Sequence, residues 1–150
     1  MKKIKKINYS QYKVRKFTPT LYSESYGVLG CGACALSTLT GLSPLAFISP
    51  DKVNPNNWPD YYMVRQLKKR YWKVLELKPL EVSNVDYIED NITKNHIVLL
   101  SQHYTKTDAS WSIIYSSLIY HNFAISRLNE YEFLSRPIIS SFLVAHPSLI

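Results

Sequence analysis

The stretch GCGACALSTLTG, residues 30–41, combines a helix signal with the only two cysteines of the chain, Cys31 and Cys34. Its apolar side chains recur at the spacing of one helix face: Ala35, Leu36 and Leu39. Gly41 ends such a helix and Pro44 bars its continuation, so we predict a buried helix from Cys31 to Thr40. A cysteine in its first turn would meet free backbone amides and the positive end of the helix dipole, which together favour the reactive thiolate.

Most of the remaining chain is predicted to form strands. Three segments have strand-like apolar patterns: WKVLELK (72–78), HIVLLSQ (96–102) and IISSFLVAH (138–146). The second is apolar enough to lie in the centre of a sheet. A further segment, SWSIIYSSLIYHN (110–122), is predicted to form a β-hairpin that turns at Ser116 and Ser117.

Helical signals lie mainly before these strands. Pro59 begins a second helix, whose apolar residues recur at helical spacing: Met63, Val64, Leu67 and Tyr71. We also expect a short acidic helix from Ser83 to Asn91, and a helical turn in NEYEFLSRP that ends at Pro137. This order predicts an α+β fold, with N-terminal helices packed against a mainly antiparallel sheet.

The positive charge of the chain is concentrated at its N-terminus. Seven basic residues precede the first acidic one: Lys2, Lys3, Lys5, Lys6, Lys13, Arg15 and Lys16. Beyond residue 17, 11 basic residues face 11 acidic ones, so the body is neutral. We therefore divide the chain into a basic arm (1–17) and one domain (18–150), which suits a 150-residue, 46% hydrophobic chain. Such arms contact nucleic acid or an acidic partner, or serve as solvated tails.

Targeting signals are not recognised in the sequence. The N-terminal lysines are not followed by the uninterrupted apolar run of a secretory signal. The apolar segment 27–48 is interrupted by Pro44 and several hydroxyl residues, which favours a buried helix and loop over a membrane span. We expect a protein made in the cytoplasm and not secreted, with no membrane partner, whose two cysteines are free thiols.

Four roles are open to the cysteine pair. Cysteine is often a small core residue, and Cys34 is predicted to be one. A redox pair requires the CGAC stretch to follow a strand, which the preceding glycine- and serine-rich segment does not favour. A zinc site would need two further ligands, and the four histidines have no paired spacing: His96, His103, His121 and His146. We therefore expect no metal and no cofactor, which leaves cysteine-histidine catalysis as the fourth role.

The ordered motifs resemble those of papain-like cysteine peptidases, especially the short bacteriocin-processing type. GCGACALSTLTG is similar to the segment in which Cys-Gly opens the central helix, and MVRQLKKRYWKVLELKP to the helix and strand that follow. NHIVLLSQ, SWSIIYSSLIYHN and LNEYEFLSRPIISSFLVA resemble the later strands and the closing helix and strand. The resemblance covers about residues 22–146 and implies a papain-like fold.

The resemblance implies a degenerate active site. Cys31 matches the nucleophile, with Cys34 as the alternative position. The slot of the family's oxyanion-binding glutamine holds Ser25, and the histidine slot before Trp111 holds Ser110. The slot of the acid or amide falls on the last two residues of the hairpin, His121 or Asn122.

His121 is the best replacement base. If the hairpin has a two-residue turn, Ser110, Ser112 and His121 share one face of the sheet, which the family geometry would make the cleft side. Loss of a positioned base typically costs 10²–10⁴-fold in rate. The predicted function is therefore a non-catalytic papain-like structural or interaction protein that works with other protein chains in an assembly.

Two alternatives remain open. One is an active cysteine peptidase that uses Cys31 with His121 and Asn122, and the other is nucleic-acid contact through the basic arm. Abundant Lys, Ile, Asn and Tyr indicate an A/T-rich genome. Together with the basic arm and the many aromatic residues, this bias favours a capsid or tail component of a tailed phage as the setting.

Overall fold

The computed structural model describes residues 10–21, 30–48, 58–77, 95–103, 109–121, 124–131 and 136–150. Within these ranges the protein has two α-helices and six strands, joined in places by short 3-10 turns. The helices are α1 (Gly30–Thr40) and α2 (Asp60–Lys68). The strands are β1 (Lys73–Leu77), β2 (Ile97–His103), β3 (Ala109–Tyr115), β4 (Leu118–His121), β5 (Ala124–Arg127) and β6 (Ile138–Ala145). The predicted α+β class is confirmed.

The six strands form one antiparallel sheet in the order β1-β6-β2-β3-β4-β5. β2 lies inside the sheet between β6 and β3, as its apolar sequence predicts. β3 and β4 form the predicted hairpin, with Tyr115 opposite Leu118 across a two-residue turn. Ser116 and Ser117 both have positive φ, 53° and 65°, as a type I′ turn requires.

Side chains alternate between the two faces of this sheet, and each face carries its own core. On what we call the helix face, Leu99, Trp111 and Ile113 pack with α1 and α2. On what we call the outer face, Leu100 and Ile114 pack with Leu128 and Tyr131, which lie in and just after the 3-10 turn that follows β5. Each fully buried aliphatic side chain in these two cores contributes about 1.5–3 kcal/mol to stability.

α1 ends where the sequence predicts. Gly41 has φ +77°, the left-handed conformation that closes many helix C-termini, and its N–H donates to the carbonyl of Ser37. α2 begins after Pro59, as expected, and buries Tyr62, Met63 and Leu67. The helix face of the sheet and the buried sides of both helices therefore form one continuous core.

α2 ends differently from the prediction, because Tyr71 is not on its buried face. The N–H of Trp72 donates to the carbonyl of Leu67 and that of Tyr71 to Lys68, the hydrogen-bond pair of a Schellman motif. Tyr71 occupies the position that glycine usually takes, with φ +68°, and its side chain is 82% exposed. The turn thus directs the ring of Tyr71 into solvent and places the side chain of the next residue, Trp72, in the core.

The second half of the predicted basic arm is part of the fold. Val14 and Phe17 are buried in the helix-face core. The N–H of Val14 donates to the carbonyl of Asn95 at 2.7 Å, and the N–H of Arg15 to Leu149 at 2.7 Å. The folded unit therefore extends N-terminally past the predicted boundary at residue 17, while residues 1–9 lie outside the described ranges.

One predicted helix cannot be placed, and one observed strand was not expected. The acidic helix at 83–91 lies outside the described residues. β5 was not predicted; all four of its residues are exposed, so it has no apolar pattern to detect. None of the helices in the described ranges has the length and apolarity needed to cross a bilayer.

Candidate functional site

The N-terminus of α1 lies against the first strand of the hairpin. Cys31 is partly buried, and its Sγ accepts a hydrogen bond from the backbone N–H of Trp111 at 3.2 Å. The same sulfur lies 4.0 Å from the carbonyl oxygen of Ala109. Both contacts are to the backbone of β3, and among the described residues no imidazole is bonded to this thiol.

The space beside Gly32, the residue after Cys31, is filled by a tryptophan. A Cβ atom at Gly32 would lie 2.2 Å from Cγ of Trp58, so the indole rests directly on the helix backbone at this glycine. Trp58 is buried, and its carbonyl oxygen accepts a 2.7 Å hydrogen bond from the indole N–H of Trp111. Gly32 therefore makes room for a protein side chain, and among the described residues the position next to its backbone is taken by Trp58 and not by an open cleft.

Cys34 lies one helical turn further along α1 and is buried in the core. Burial, followed by the neighbouring Cys31, raises the pKa of the Cys34 thiol from 9.0 to about 12. A thiol with so high a pKa stays protonated near neutral pH and is a poor nucleophile. This environment is that of a core residue, and it does not suit the alternative nucleophile position.

The candidate base lies on the other face of the sheet. Alternation along the strands places Ser110 and Ser112 with Ile114 on the outer face, and His121 with the outer-face residue Ile119. The hairpin register therefore places the two serines and the histidine on one face of the sheet, as predicted. This face is not the one on which α1 packs, so the expectation that it forms the cleft side of Cys31 is wrong.

His121 is engaged by its own surroundings. Its Nε2 forms a short hydrogen bond with the hydroxyl of Ser110, and its ring lies edge-on to Tyr131 with centroids 5.9 Å apart. Ser112, next along the strand on the same face, is buried, and its hydroxyl has no hydrogen-bond partner within the described residues. The serine in the family's histidine slot is thus paired with the histidine that was to replace it.

Several of the predicted site residues cannot be placed. Ser25, Asn122 and the arm residues Lys2, Lys3, Lys5 and Lys6 lie outside the described ranges. The other arm cations, Lys13, Arg15 and Lys16, are exposed. The first two line an open concavity of about 540 Å³ together with Ser10, Asn95 and Ile150. Within the described residues, no group of three or more His, Cys, Asp or Glu side chains is arranged to hold a metal ion.

The aromatic residues on and around α2 differ in burial. Trp58, Tyr62 and Trp72 belong to the core, whereas Tyr61 and Tyr71 are 67% and 82% exposed. Sequence reasoning missed the role of Trp58, because its contact with Gly32 joins segments 26 residues apart in the chain. Its position between Asn and Pro residues gave no signal of that contact.

No protein-family model and no curated protein matches the chain.

Proposed function

We propose that this chain is a non-catalytic relative of the papain-like cysteine peptidases, which works by binding other protein chains. The observation that carries the proposal is the set of contacts made by Cys31 and Gly32 at the N-terminus of α1. Trp58 lies on Gly32, and the Cys31 sulfur meets backbone groups of β3. A peptidase needs an open cleft and a base within hydrogen-bond reach of its nucleophile.

The architecture supports the papain-like part of the proposal. A cysteine opens the first helix, that helix packs against an antiparallel sheet, and the cysteine lies on the first strand of a hairpin. This is the arrangement that the sequence resemblance implies. The setting we propose is a structural assembly, with a capsid or tail component of a tailed phage as the specific case that the composition favours.

Thiol labelling tests the catalytic half of the proposal. In a Cys34→Ala background only Cys31 can react, and the same protein in urea gives the intrinsic rate of that thiol. We expect folded protein at neutral pH to react no faster than unfolded protein, because the sulfur is partly buried and has no paired imidazole. His121→Gln should leave the rate unchanged, since His121 bonds to Ser110.

The opposite result supports the active-peptidase alternative. Labelling of folded protein much faster than in urea near neutral pH, and lost in His121→Gln, would show that the histidine activates Cys31. Ser110→Ala serves as the control for a local structural effect of the substitution, because it removes the same hydrogen bond and leaves the imidazole in place.

Nucleic-acid contact through the basic arm is the second candidate. The observation that favours it is the exposure of Lys13, Arg15 and Lys16, of which the first two line the concavity. Phosphate contacts release counterions, so affinity for a nucleic acid should fall steeply with salt. If the triple variant Lys13→Ser, Arg15→Ser and Lys16→Ser leaves both the affinity and its salt dependence unchanged, the described part of the arm makes no such contact.

A further inference from the structure

A second positively charged surface lies on α2 and the turn after it, outside the basic arm. We call it the α2 surface, and its members are all exposed: Tyr61, Arg65, Lys68, Lys69, Tyr71 and Lys73. The first four are spaced i, i+4, i+7 and i+8, so they lie on one side of the helix. The opposite side, with Met63 and Leu67, is buried in the core.

The charge of this surface is locally strong although the body as a whole is neutral. Five of the 11 basic residues beyond residue 17 fall between Arg65 and Lys73. Six basic residues are then left to face the 11 acidic ones. The guanidinium of Arg70 donates hydrogen bonds to the carbonyl and side-chain oxygens of Gln66 at 3.0 and 2.9 Å. The side chains of the other four cations form neither a hydrogen bond nor an ion pair within the described residues. Their charge is therefore available to a ligand.

Two tyrosine rings accompany these cations. The guanidinium of Arg65 lies 5.7 Å from the ring centroid of Tyr61. The ring of Tyr71 is held in solvent by the Schellman turn, at a backbone conformation that glycine would adopt with less strain. Residues held in disfavoured conformations with exposed side chains often have a role in binding. A strained, exposed tyrosine beside four free cations therefore points to a ligand with flat rings and negative charge.

We propose that the α2 surface binds single-stranded nucleic acid. Arg65, Lys68, Lys69 and Lys73 contact phosphates, while bases stack on Tyr61 and Tyr71, the combination used by proteins that bind single strands without sequence preference. Lysine is depleted at protein–protein interfaces, which disfavours a protein partner here. A membrane-surface helix needs its apolar side free for lipid, and the apolar side of α2 is in the core.

Fluorescence anisotropy with a labelled oligothymidylate and the full chain tests this proposal. Tyr71→Ala should weaken binding by about 5- to 150-fold, the range measured when a stacking ring is removed. Lys68→Ser combined with Lys69→Ser should reduce the slope of log affinity against log salt by about 1.4, since each phosphate contact to a single strand contributes about 0.7. Tyr71→Gly removes the same ring without strain, so equal weakening in both Tyr71 variants excludes misfolding as the cause.

A variant of the arm provides the matched comparison. Replacement of Lys2, Lys3, Lys5 and Lys6 by serine removes four cations and leaves the α2 surface intact. We expect it to retain sensitivity to Tyr71→Ala. The proposal is overturned if oligothymidylate does not bind, or if the α2 variants bind as tightly as the parent chain. It is also overturned if duplex DNA binds equally well, or if anionic vesicles bind and oligothymidylate does not compete.

Discussion

The turn at the end of α2 gives a sharp prediction about stability, because it places a large residue where glycine is favoured. Tyr71 has φ +68°, and the left-handed conformation costs an L-residue roughly 1–2 kcal/mol. Its side chain is 82% exposed, so little packing is lost with the ring. Glycine relieves this strain, but it also gives the unfolded chain more conformational freedom. That freedom offsets about 0.5–1 kcal/mol of the stability gained. We expect Tyr71→Gly to raise the free energy of unfolding by about 1 kcal/mol.

Tyr71→Ala is the matched control, because it removes the same ring and keeps the positive φ. Its free energy of unfolding should stay within about 0.5 kcal/mol of the parent. Urea titration followed by circular dichroism measures both variants, and the thermal midpoint of Tyr71→Gly should rise by roughly 2–4 °C. If the glycine variant is no more stable than the alanine variant, the backbone at Tyr71 is not strained and the reasoning fails.

Three further predictions concern the site around Cys31 and the outer face. Gly32→Ala should lower the free energy of unfolding by at least about 1–3 kcal/mol, because its methyl group would overlap the ring of Trp58; an unchanged urea midpoint would mean that the indole does not rest there. Ser112→Ala should stabilise the protein by roughly 1 kcal/mol in the same assay, since its buried hydroxyl has no hydrogen-bond partner in the part of the chain that the structure describes. Ser110→Ala, which breaks a hydrogen bond to His121, should destabilise it. Burial holds the pKa of the Cys34 thiol near 12 in the folded state, so above pH 9.0 the unfolded chain loses a proton that the folded chain keeps. Stability should therefore fall as pH rises from 9.0 towards 12, and urea midpoints should fall less steeply in Cys34→Ala; parallel curves would contradict the burial of this thiol.

Local patterns were enough to predict the elements with one buried face. The α1 stripe, the stop at Gly41 and the Ser116–Ser117 turn all depend on residues close together in the sequence, where periodicity and turn geometry act directly. β5 escaped prediction because it has no buried residue, and Tyr71 was assigned to the helix because its spacing alone fits the stripe. The capping bonds of the Schellman turn overrode that spacing.

The candidate site was less predictable because it depends on contacts across the fold. The turn length was enough to predict that Ser110 and His121 lie on the same face of the hairpin. It could not predict which face α1 covers, because that depends on the packing of Trp111 and Ile113 against the helix. The contact of Trp58 with Gly32 has no local signal at all. The α2 surface, by contrast, was visible in the sequence, but a count of charges over the whole body concealed its clustering.

The position of β6 in the sheet has a consequence for how the protein is made. Among the described strands β6 is the last in the sequence, yet it lies between β1 and β2 and is the one strand of this set that pairs with β1. During synthesis β1 cannot form its pairing with β6 until residues 138–145 have left the ribosome. Strand pairings between distant segments form slowly, and unpaired strands in the meantime are prone to aggregate. Completion of the sheet is therefore a late event, and we expect nascent chains that end before β6 to depend on chaperones.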